Sequence, residues 1–242
     1  MPDRSVALIA GAGAGLGGAV ARRFARGGYH VCALRRHAEA LEPLCTQIRE
    51  AGGAITPFGI DAREEDQVVD VFDRVEREIG PVEVAVHNIG ANVAIPILEF
   101  SARKYFKIWQ LACFSGFLVG REAARRMVER ERGTILFSGA TASLRGKELM
   151  AGFAGAKHGL RALAQSMARE LGPRGIHVAH VVIDGPIDMP WIRENFPQLA
   201  ESRPEGGLLQ PDDIAENYWL LHQQPRSAWT QELDLRPWVE PW

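Results

Sequence analysis

Short apolar runs alternate with amphipathic stretches along most of this chain. Ser5 to Ile9 forms the first run, Ala10 to Gly17 is glycine-rich, and Ala19 to Ala25 carries apolar positions at helical spacing. The run His30 to Leu34 predicts a second strand ending at Arg35-Arg36. A helical pattern follows through Leu41, Leu44, Cys45 and Ile48 until Gly52-Gly53 stops it. Ala54 to Ile60 reads as a third strand and Val82 to Val86 as a fourth, with Val68, Val69, Phe72, Val75 and Ile79 marking a helix between them. A long helical region spans about Ser101 to Glu131, Thr134 to Ser138 is a fifth strand, and Gly152 to Leu171 is a further helix. Ile176 to Ile183 is a sixth strand. From Gly185 to Gln210 periodicity is lost in a segment with four prolines, so that 186–210 is expected to be a lid or binding loop. A helix over Ile214 to Leu221 and a last strand at Leu233 to Leu235 complete the pattern. Near-continuous apolar strands alternating with helices predict an α/β fold, a doubly wound parallel sheet covered by helices on both faces.

A chain of 242 residues, 46% of them hydrophobic, can bury a substantial core, and residues 1–242 are expected to form one domain. A formal charge of −2 without any run of Lys or Arg points to a small-molecule ligand rather than to nucleic acid or a membrane surface. Cys32, Cys45 and Cys113 lack metal-ligand spacing and read as reduced thiols, so no metal site is expected. No basic-then-apolar leader opens the sequence and no run reaches membrane-spanning length, which predicts a cytoplasmic protein.

The glycine loop stands where a strand turns into a helix. Glycines let the backbone approach an anion, and the helix's unpaired N–H groups and dipole attract its charge, although such a turn also serves plain helix–strand packing. In doubly wound sheets the ligand crosses the carboxyl ends of the strands. Gly11, Ala14, Gly15, Leu16 and Gly17 would then hold phosphates. Arg35 and Arg36, in place of an acidic residue after the second strand, favour NADP(H) over NAD(H). Asp61, with Ala62, ends the third strand, where its carboxylate would accept from an adenine amino group or cap the next helix. Asn88 and Gly90 end the fourth strand.

With these residues in place the chain resembles the short-chain dehydrogenase/reductase family over nearly its whole length. Ala10-Gly11-x-x-x-Gly15-x-Gly17 stands for that family's Thr-Gly-x-x-x-Gly-x-Gly, and Asp61 sits at the adenine position. His87-Asn88-Ile89-Gly90 stands for Asn-Asn-Ala-Gly, Lys157 lies in the long helix after the fifth strand, and Asp184-Gly185-Pro186-Ile187 replaces the usual Pro-Gly turn. The resemblance implies a Rossmann-type sheet of about seven strands and a nicotinamide cofactor touching Lys157, Gly185 and Ile187 as well. It also implies a small-molecule substrate and a homo-oligomer, dimer or tetramer.

The family's chemistry uses a Tyr, a Lys four residues on, a Ser and an Asn. In this chain those positions are Phe153, Lys157, Ala140 and Cys113, and no tyrosine falls in that helix. A phenyl ring carries no proton. Lys157 alone survives, which leaves two readings: an oxidoreductase on a small carbonyl or alcohol with an altered proton path, or an inactive nucleotide-binding homologue with a sensing, structural or partner-binding role. Ser138, two residues before Ala140, is the expected substitute hydroxyl, with Thr141 and Ser143 in the loop beyond. His87, His158 and Cys113 are further titratable candidates beside the site, each with a plain structural reading.

Overall fold

The computed structural model describes residues 4–241. Seven strands, β1 (Val6–Ala10), β2 (His30–Arg35), β3 (Ala54–Gly59), β4 (Val82–His87), β5 (Gly133–Ser138), β6 (Ile176–Ile183) and β7 (Glu232–Leu235), form one sheet in the order β3-β2-β1-β4-β5-β6-β7. Every pairing is parallel. The fold class read from the pattern holds. Strands such as β1 and β6 are buried at every position because helices cover both faces, so apolar residues are needed on each side of the pleat. Val6, Leu8 and Ala10 enter one core, Ala7 and Ile9 the other.

The second face is covered by α1 (Leu16–Arg26), α2 (Glu42–Glu50) and, in the last third of the chain, α9 (Pro211–His222). The first is covered by α3 (Glu65–Glu78), α5 (Ser115–Met127) and α6 (Ala151–Leu171). The long helical region is α4 (Ala102–Trp109) joined to α5 by a widened π turn over Gln110–Phe114. Ser101 caps it by accepting from the Lys104 N–H.

The aperiodic segment holds two short helices, α7 (Pro190–Asn195) and α8 (Pro197–Ser202), each begun by a proline. A parallel bridge between Ile187 and Leu209 pins its base. Strand order reverses between β1 and β4, and the chain's main cleft opens at the carboxyl ends of those two strands. Among the described residues no helix is long and apolar enough to cross a membrane, and no three His, Cys, Asp or Glu side chains come together as a metal site.

Candidate active site

At the end of β1 the chain turns through Gly11, whose φ of +89° disfavours any side chain and whose added Cβ would lie 2.7 Å from the Asn88 carbonyl oxygen. A Cβ on Gly17 would collide with the Gly11 carbonyl, so α1 packs this close to β1 only with glycine there. Gly15 caps α1 with no side-chain hydrogen bond, and the first turn holds no acidic residue. The Gly18 N–H already bonds the Gly15 carbonyl at 3.0 Å, and no side chain of the cap competes with an anion at the N–H groups before it.

Two hollows that share Gly11, Ile89 and Gly90 in their linings lie along the strand ends. A cleft of about 870 Å³ is lined by Gly11, Gly15, Leu16, Gly17, Asn88, Gly90, Lys157, Gly185 and Ile187, all expected to touch a cofactor. A smaller hollow of about 160 Å³ is lined by Gly11, Arg35, Arg36, Asp61, Ala62 and Gly90. Ala14 lies at the exposed tip of the loop and lines neither. Arg35 reaches back over the loop, so that a Cβ on Gly13 would come 3.1 Å from its Nη1.

Asp61 does not cap α3, whose N-cap is Glu64. Its Oδ1 accepts from the Arg63 backbone N–H at 3.1 Å and from Arg63 Nε at 2.9 Å, and the Arg63 guanidinium holds the carboxyl below its ordinary pKa. Arg63, which no pattern in the sequence singles out, thus becomes the third arginine of the small hollow.

Lys157 projects from α6 into the sheet and is 3% exposed. Its ammonium donates to the Ser138 carbonyl at 2.7 Å and to the Ile89 carbonyl at 3.3 Å, and lies 5.8 Å from the centre of the Phe153 ring. An ammonium has three protons, and two carbonyls take two. Burial lowers its pKa to about 8. Lys157 is then about nine-tenths charged at pH 7.

The expected substitutes are dispersed. Ser138 is buried, and its hydroxyl is bonded to the Tyr218 hydroxyl of α9 at 2.6 Å, so it meets Lys157 through its carbonyl and not through its side chain. Ser143 accepts from the Ala140 N–H at 3.1 Å. Thr141 lines the cleft and donates to Asp184 at 2.6 Å.

Burial pushes the Cys113 thiol up, against a weaker opposing pull from Lys157, and this keeps it protonated. His158 is exposed and bonds its own helix at the Ala154 carbonyl. His87 bonds Ser115 Oγ through Nε2 at 2.7 Å; because that hydroxyl donates to the Leu111 carbonyl, the imidazole must be the donor. Burial drives its pKa down to about 3.

The C-terminal tail brings Glu240 to the cleft, while Trp229 and Trp238 do not line it. Trp229 stacks on His177 with ring centres 4.9 Å apart, the Trp238 Nε1–H points at the Glu205 carbonyl at 3.4 Å, and Glu240 lines the cleft while pairing with Arg203 at 2.9 Å. Trp242 lies outside the described residues.

Comparison with known proteins agrees with this geometry. The family model of short chain dehydrogenases matches residues 5–198. A short-chain dehydrogenase from Rhodopseudomonas palustris is 44% identical and superposes with a TM-score of 0.82 over 98% of this chain and 100% of that one. An actinorhodin polyketide ketoreductase solved with NADPH is 25% identical, with a TM-score of 0.90 and complete coverage of both chains. The 3-oxoacyl-[acyl-carrier-protein] reductase MabA of Mycobacterium avium is 31% identical over 210 residues, covering 86% of this chain and 74% of the relative. This protein belongs to the short-chain dehydrogenase family.

Proposed function

We propose that the chain binds NADP(H) in preference to NAD(H) and acts as an oxidoreductase on a small alcohol or carbonyl by an altered proton path. The observation that carries this reading is the joining of two features in one continuous groove: the uncapped N-terminus of α1 behind the glycine loop, and the buried Lys157 ammonium with its remaining N–H. The groove fits the cofactor. Gly11, Gly15 and Gly17 leave room for a diphosphate, and Arg35 and Arg36, with Arg63 beside them, supply charge for a ribose phosphate at the far end. Once bound, the nicotinamide supplies or accepts a hydride. Lys157 would hold the ribose next to it and keep a positive charge beside the reacting oxygen. The relative solved with NADPH supports the same cofactor class.

The departures favour a second reading. With Phe153, Ala140 and Cys113 at the family's Tyr, Ser and Asn positions, the site would bind cofactor for sensing, structure or partner contact without turnover. Following NADPH oxidation with a panel of carbonyls, and NADP⁺ reduction with the matching alcohols, separates the two. Turnover by the native protein excludes the inactive reading, and cofactor binding with no turnover across the panel excludes the first.

We also propose a homo-oligomer. Phe106, Trp109, Phe114 and Phe117 stack in series along α4 and α5 with ring centres 5.7–6.1 Å apart, and Phe106 is 56% exposed. Sedimentation at micromolar concentration tests this: a monomer that Phe106→Glu leaves unchanged would overturn it.

A further inference from the structure

The cleft beyond Lys157 is organised by a buried carboxylate absent from the family's pattern. Asp184, fully buried at the end of β6, accepts from Thr141 Oγ1 at 2.6 Å and from Arg145 Nη2 at 3.3 Å, both at its Oδ1, and pairs with Arg236 at 3.3 Å. The Thr141 proton is committed to that carboxylate, so toward the cleft its oxygen offers lone pairs only. It can accept from a ligand hydroxyl and cannot donate to a ligand carbonyl.

Arg145 lines the same cleft with its side chain 46% exposed, leaving guanidinium N–H groups beyond those on Asp184. Lys147 adds a second cation to the wall. The acidic lining residue Glu240 is neutralised by Arg203 at 2.9 Å, and Lys157 is turned to its carbonyls. Asp184 faces both Arg145 and Arg236, and Arg236 also faces Asp234, so these four charges balance and the net positive charge of the wall, beside an acceptor-only hydroxyl, comes from Lys147 and Lys157. Since Thr141 and Arg145 touch one carboxylate oxygen, a single small ligand can reach both.

We propose that this part of the cleft takes a small hydroxycarboxylate, with its carboxylate on Arg145 and its hydroxyl donating to Thr141, which makes Thr141 and Arg145 specificity-determining residues. The proposal rests on the oxidoreductase reading and gives it a substrate class. Calorimetric titration tests it with 3-hydroxybutyrate, its ketone counterpart acetoacetate and the neutral butane-1,3-diol, on the full chain both without cofactor and with NADP⁺. The NADP⁺ titration is run first, so a failure of cofactor binding is seen separately while the ligand arms still report on the cofactor-free cleft.

The hydroxy acid should bind at least about tenfold more tightly than the diol, as expected for a charge-assisted pair. Arg145→Gln should erase that margin. Thr141→Val should erase the preference of hydroxy over keto acid, and Thr141→Ser should restore it in a protein of unchanged melting temperature. Equal binding of acid and diol, a margin that survives Arg145→Gln, or no binding of 3-hydroxybutyrate at tens of millimolar would overturn the proposal.

Discussion

Lowering the pH from 7 to 5 should remove about 4 kcal/mol of folding stability through two histidines. His87 and His180 are 1% and 0% exposed, and burial lowers their pKa values to about 3 and about 4. In the unfolded chain each titrates near its ordinary value of about 6.5. A depressed histidine is held neutral by the fold, so its stabilisation is complete above about 6.5 and is lost as the pH falls toward the folded value. At pH 5 the unfolded imidazole is almost fully protonated and the folded one is not, a difference of about 2 kcal/mol for each ring. His222, lowered to about 4, adds in the same direction. Carboxylates held low by arginines, such as Asp61, Asp188 and Glu232, act mainly below this window. At pH 5 each changes stability by only about a few tenths of a kcal/mol, because free Asp and Glu titrate near 4. Against a usual total of about 5–15 kcal/mol, the loss is large. Urea unfolding followed by tryptophan fluorescence at the two pH values measures it, and His87→Gln should reduce the pH-dependent part by about 2 kcal/mol whatever its effect at pH 7. A wild-type loss below about 2 kcal/mol, or a His87→Gln protein with the full loss, would refute the reasoning.

Gly17→Ala should abolish NADPH binding and destabilise the fold by about 1–3 kcal/mol, the usual cost of forcing atoms into a packed contact; calorimetric titration and urea unfolding read the two effects. Affinity for NADP(H) should weaken as the pH rises through about 8, where Lys157 loses its charge, and Lys157→Met should flatten that dependence in the same titration series. Phe153→Tyr combined with Ala140→Ser places a phenol beside the Lys157 ammonium and returns a hydroxyl to the loop. Turnover in the carbonyl panel should rise by about 10²–10⁴-fold, and no rise in a folded, NADPH-binding variant would mean that the absent Tyr and Ser hydroxyls are not what limits turnover.

The sheet was legible because the five inner strands, buried on both faces, had to be near-continuous apolar runs, and because glycines and prolines punctuate the turns between strands and helices. The cleft at the strand ends was legible because a doubly wound sheet sends residues at strand ends to one edge. What escaped depends on partners far apart in the chain. Ser138 was expected in the site from strand alternation, yet its face of the sheet belongs to α9, and Tyr218 takes its hydroxyl. Asp184 gathers Thr141 and Arg145 from the loop after β5 and Arg236 from beyond β7, and nothing in the local sequence of either segment announces the other. Helices α7 and α8 are six residues each, too short to show a helical period, and their prolines read equally well as loop.

Fluorescence titration with NADPH and NADH side by side, on the native protein and on Arg35→Ser with Arg36→Ser, reads whether the groove holds NADP(H). NADPH should bind the native protein about 10–100-fold more tightly than NADH, the value of a charge-assisted contact to the extra phosphate, and the paired substitution should bring the two affinities together. Equal affinities in the native protein, or no binding of either nucleotide at millimolar concentration, would contradict the account.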